Sequence, residues 1–153
     1  MSHGLIVVLT AMTPIGELRA AIPLALITYD MAWPTALLLG IIGNLIPIPF
    51  VLGALRLVGE RFERRQDVIG RLLRWRTERI QRTWGDRVAR YGFFGVLLFV
   101  AMPLPMTGAW TGALAVWALR VNIKTGLAAI VTGVVVAGII VTTLTQAGLF
   151  FTS

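Results

Sequence analysis

Glu17 and Arg19 stand two residues apart inside an otherwise apolar stretch that runs from Leu5 to Thr28. A carboxylate kept from water can exchange a proton near neutral pH. A guanidinium stays charged and suits a phosphate, a carboxylate or a second acid of the protein. Residues two apart on a helix diverge by about 200°, so the two charges are expected to face different partners. Thr13, Pro14 and Gly16 come just before them. Thr13 can cap a half-helix that begins at Pro14, where the missing N–H is no loss, and the positive end of that half-helix then faces the bilayer centre. The plainer alternative is that Glu17 and Arg19 satisfy backbone groups of their own hairpin and each other. Against it, ions at membrane depth are costly and neutral residues can do that work.

Ninety residues further on, Met102-Pro103-Leu104-Pro105-Met106-Thr107-Gly108 interrupts a second apolar stretch without any charge. Pro103, Pro105, Thr107, Gly108, Trp110 and Thr111 are the candidates there, because free N–H groups and hydroxyls can bind an anion or a polar headgroup. Gly108 and Gly112 are also spaced for close helix contact. Asn44 is polar in the middle of a third apolar stretch, which Pro47 and Pro49 are expected to break or kink. Its amide can face the two tips or make a simple interhelical hydrogen bond.

The elements that carry these residues follow from composition. The chain has 153 residues, 57% hydrophobic and 14% charged, with a mean hydropathy of +0.82. A soluble domain carries about 25% charge, so the class is an all-α integral membrane protein. Four stretches are apolar enough to enter a bilayer: Leu5–Thr28, Trp33–Val58, Phe93–Leu119 and Thr125–Phe151. The leader has no basic residue and no small-x-small site follows the first run, so no cleaved signal peptide is expected. Cysteine is absent and His3 is the sole histidine. That excludes a disulfide framework and a thiolate site, and one histidine builds no metal centre, so neither metal nor cofactor is expected. With no paired carboxylates and no nucleophile beside Glu17, an enzyme is not expected either.

The net charge of +7 is concentrated in one place: ten of 14 basic residues lie between Glu60 and Tyr91, against five acids. Phe62, Ile69, Leu73, Ile80, Trp84, Val88 and Tyr91 recur there at helical spacing. Residues 59–92 therefore read as an amphipathic helix lying on anionic lipid, with Gly70 and Gly85 as points where it can bend or split. The alternative is a linker that packs on the underside of the protein. Nothing resembles a base-reading module, so no nucleic acid is expected.

Charge also tests the topology. If every apolar stretch crossed the membrane, Arg120 and Lys124 would lie outside with Asp30. If each interrupted stretch turns back at its tip, thirteen of the fourteen basic residues are cytoplasmic, Arg19 excepted. Leu5–Met12 is eight residues, about 12 Å of helix, which reaches only the mid-plane. The expected layout is a first repeat over 1–58 (re-entrant hairpin 5–28, transmembrane helix 33–58), a cytoplasmic linker over 59–92, and a second repeat over 93–153 (re-entrant hairpin 93–119, transmembrane helix 123–151). Both termini then lie outside the inner membrane. At an offset of ninety, Thr35 falls over Thr125, Leu37 over Leu127 and Gly43 over Gly133. One span reverses sidedness, so the halves are expected to be inverted repeats, as in many transporters.

Pro14-Ile15-Gly16-Glu17-Leu18-Arg19-Ala20-Ala21-Ile22-Pro23 resembles the opening motif of the small multidrug export protein family. Tyr91-Gly92 with Phe99 through Gly112 resembles its second signature, with Met106 where that signature is expected to carry glycine. The family is similar at a distance to the DedA and SNARE-associated membrane proteins. That resemblance implies paired re-entrant hairpins and proton-coupled transport or lipid translocation, with Glu17 and Arg19 as the functional charges. The second tip here lacks the arginines of many DedA proteins. The expected function is proton-coupled transport of a small or amphipathic substrate by a homo-oligomer. A flippase or scramblase for a polyprenyl-phosphate or phospholipid is the first alternative, and a non-transporting assembly protein the second.

Overall fold

A computed structural model describes residues 2–63, 67–102 and 108–152, and all regular structure among them is helical. Helix α1 (His3–Met12) stops because Thr13 precedes Pro14; a proline disfavours the helical conformation of the residue before it, and Thr13 is extended at ψ 144°. Helix α2 (Glu17–Pro23) follows one turn later and folds back onto α1. Pro23 has no N–H to continue the ladder, and the chain widens into a π-helical turn over Leu24–Thr28, closed by Tyr29 N–H donating to the Leu24 carbonyl. The expected start at Pro14 is displaced: Pro14–Gly16 form a separate turn, because Glu17 sits at φ +48°.

Helices α3 (Trp33–Leu45) and α4 (Ile48–Glu63) form one broken rod. The break falls at Ile46-Pro47, as expected, since Pro47 and Pro49 withhold two N–H groups from the turn. Residues Trp33–Leu57 of this rod are long and apolar enough to cross a membrane, with mean hydropathy 2.1 over 25 residues. Helix α5 (Val68–Tyr91) is continuous through both Gly70 and Gly85. It packs on α4, and on α6 (Phe93–Ala101) and α7 (Ala109–Ala118). Helix α8 (Ile123–Thr152) closes the fold, and its 26 residues Ile123–Gly148 are the second candidate span, at mean hydropathy 2.5.

Helix α6 ends as α1 does: Met102, with Pro103 next in sequence, is extended at ψ 122°. The packing also recurs ninety residues apart. A Cβ on Gly43 would lie 2.6 Å from the Val8 carbonyl oxygen of α1; one on Gly133 would lie 2.8 Å from Val100 of α6. Gly40 leaves room for Ile22, while at the two equivalent positions Ile130 fills the room left by Gly112. Between the halves, α3 lies on α8, α2 packs on α8, and α7 packs on α4.

Candidate functional site

Thr13 shapes the first tip. Its hydroxyl donates to the Thr10 carbonyl at 2.8 Å and accepts from the Gly16 N–H at 3.1 Å, while the Glu17 N–H donates to its carbonyl at 3.1 Å. Thr13, Pro14 and Ile15 are exposed. Glu17 then turns sharply inward. Its left-handed φ of +48° costs a β-carbon residue roughly 1–3 kcal/mol, and its side chain is only 6% exposed.

The Glu17 carboxylate does not stay with its own hairpin. Its Oε1 accepts from the Trp110 N–H at 3.4 Å, and the Ala109 N–H bonds the same carboxylate, so it covers the start of α7 in the second half. Those are N–H groups that a helix cannot satisfy internally, at its positive end. Gly108 makes the approach feasible twice over. Its φ of +152° suits glycine, and a Cβ there would overlap the Glu17 carboxylate.

Arg19 crosses in the same direction to the opposite kind of terminus. Its Nη2 donates at 2.9 Å to the carbonyl of Met102, at the negative end of α6. The second tip returns the contact: the Trp110 indole Nε1 donates at 3.2 Å to the carbonyl of Met12, the last residue of α1. Met12 and Met102 are ninety residues apart. Each hairpin therefore caps the end of the other's first arm. Glu17 and Arg19 hydrogen-bond to different backbone groups of the opposite tip, and their charges also act on each other.

Thr111 is buried on α7. Asn44 is buried on α3, next to Gly43, and among the described residues its Oδ1 accepts no hydrogen bond. Pro103, Pro105 and Thr107 lie outside the described residues. The structure thus joins Glu17, Arg19, Gly108 and Trp110 in one junction, with Thr13 and Gly16 shaping its first strand of chain. Sequence reasoning missed the Met12 and Met102 carbonyls. Their signal was present, since each ends an apolar arm just ahead of a Thr-Pro or a proline.

This arrangement can do two things chemically. A proton placed on Glu17 removes the negative charge that faces the α7 terminus, and an anion entering the junction competes with Glu17 for the same N–H groups. Among the described residues, no three histidine, aspartate or glutamate side chains lie close enough to hold a metal ion.

No curated protein and no solved structure matches the chain. The profile of the small multi-drug export proteins matches residues 17–140, from Glu17 just after the first tip to well into the second candidate span. Together with the two apolar helices, that match points to a membrane protein of transport type rather than an enzyme, and the chain belongs to the small multi-drug export protein family.

Proposed function

We propose that the chain is a proton-coupled exporter of a small or amphipathic substrate, in which Glu17 is the proton carrier and the junction of the two tips is the gate. The observation that carries this reading is the buried Glu17 carboxylate on the backbone N–H groups of the opposite hairpin. Protonation weakens that contact because the charge-assisted hydrogen bond becomes a neutral one. Arg19 on the Met102 carbonyl holds the second contact and offers a cation to an anionic substrate once displaced. A proton entering down a 100 mV potential supplies about 2.3 kcal/mol, comparable to the roughly 1.5–3 kcal/mol of one such contact.

The proposal includes the frame. The two tips lie at mid-membrane as re-entrant hairpins, and the halves are inverted repeats. The swapped Ile22–Gly40 and Gly112–Ile130 contacts and the reciprocal capping at Met12 and Met102 support that repeat. Exposed apolar side chains such as Ile15 at the first tip and Phe50 on α4 leave surface for lipid or a second copy, in keeping with a homo-oligomer in the inner membrane.

The test is transport into proteoliposomes with and without an imposed pH gradient, using a fluorescent sulfonate dye, whose negative charge does not titrate, as probe. Wild type should accumulate the dye only when the gradient is present. Glu17→Gln should lose that dependence, and uptake by Glu17→Gln that still follows the gradient would exclude Glu17 as the proton carrier.

A further inference from the structure

At the far end of α7 from Glu17, a cavity of about 480 Å³ opens between α4, α5, the end of α7 and the start of α8. Among the described residues its lining carries Arg56 and Arg120 and no acid. Among the described residues neither arginine has an acidic partner; the ion pair on α5 joins Arg82 to Glu78. Thr77 lines the same cavity at 4% exposure, and its hydroxyl has no hydrogen-bond partner. Gln81 closes one side through a 3.3 Å bond from its amide to the Ala118 carbonyl. The N-terminus of the thirty-residue α8 enters at Ile123, adding its positive end.

Arg120 occupies a position that backbone chemistry reserves for another residue. The Arg120 N–H donates to the Trp117 carbonyl and the Val121 N–H to the Val116 carbonyl, the pair of bonds that ends a helix in a Schellman turn. The residue at its left-handed position is usually glycine, yet Arg120 holds φ +53°. The turn places Arg120 in the cavity lining, together with Arg56 of α4.

We propose that this cavity binds a phosphate group, either free or as the headgroup of a lipid. Two guanidiniums and a buried hydroxyl match the charge and the acceptor oxygens of a phosphate. The volume exceeds what a bare anion fills, and Trp117 and Ile123 offer apolar wall for the remainder. The site does not depend on the proton-coupled reading of the tips. A lipid headgroup and a free phosphate share the recognised chemistry, and the experiment separates them.

Purified full-length protein in neutral detergent is titrated calorimetrically with monomeric dihexanoyl phosphatidylglycerol and, separately, with inorganic phosphate. The variant Arg56→Gln with Arg120→Gly should weaken binding about tenfold or more, as expected for the loss of charge-assisted hydrogen bonds. Arg120→Gly suits the left-handed backbone, so its thermal unfolding should match or exceed wild type and a folding defect cannot mimic the result. Thr77→Val should weaken binding about threefold. Arg71→Gln with Arg90→Gln, on α5 outside the lining, should leave it unchanged. Binding of the lipid alone with this pattern assigns a headgroup; binding of inorganic phosphate with the same pattern assigns a free phosphate. No binding to wild type, equal affinity in the Arg56/Arg120 variant, or equal weakening by the Arg71/Arg90 control each overturns the proposal.

Discussion

One close approach between the halves is made at a residue with no side chain. Gly108 combines a left-handed backbone with a carboxylate lying where its Cβ would be. Gly108→Ala should therefore lower stability by roughly 1–3 kcal/mol, read as a fall in the thermal unfolding midpoint in detergent. Adding Glu17→Ala to that variant should recover the steric part and leave the backbone strain. An unchanged midpoint in Gly108→Ala would mean that the carboxylate does not sit against the α7 terminus. Glu17 itself was legible as a buried acid, because a charge inside an apolar run is visible in one dimension. Its partner was not. The N–H groups of Ala109 and Trp110 belong to every sequence, and only the tertiary fold selects them over the hairpin's own backbone.

At the level of elements, the interruptions by proline were readable because they act locally. Thr13 before Pro14 and Met102 before Pro103 end their helices for one steric reason, and Pro47 breaks the α3–α4 rod for another. The facing of α5 was less readable. Its expected apolar stripe included Ile69, Ile80 and Tyr91, yet Gly70, Thr77 and Ile80 are buried while Val68, Ile69, Leu72 and Trp75 are exposed. Periodicity alone does not distinguish an apolar face that meets protein from one that meets lipid. The interhelix contacts make a sharper case. Gly40 with Ile22 and Ile130 with Gly112 solve one packing problem with large and small exchanged. Gly40→Ile alone overpacks the α2–α3 contact and should cost about 1–3 kcal/mol. Combined with Ile22→Gly it copies the second half's arrangement, and a double-mutant cycle should return a coupling of about 1 kcal/mol or more in favour of the pair. Additive losses would deny that the two contacts are equivalent.

For the whole molecule, the decisive quantity is which residues share a side of the membrane. Asp30 and Arg120 both hold a left-handed backbone, at φ +48° and φ +53°, ninety residues apart, each just after a return arm. Equivalent turns carrying opposite charges are in keeping with the proposed inversion of the halves. If the halves are inverted as proposed, the Asp30 turn falls on the outer side, which tolerates an acid, and the Arg120 turn on the cytoplasmic side, which attracts a base. The cysteine-free chain lets this be tested with single cysteines at Met31, Gln66 and Ser153, labelled in intact cells by an impermeant maleimide. Two re-entrant hairpins should put Met31 and Ser153 on the labelled side and Gln66 on the protected one. Full crossing by all four apolar stretches would instead place Ser153 with Gln66, opposite Met31. The tips would then no longer meet at mid-membrane from opposite sides, and a proton moving through Glu17 would have no aqueous route to each face. The labelling pattern thus tests the exporter through its geometry, without knowledge of the substrate.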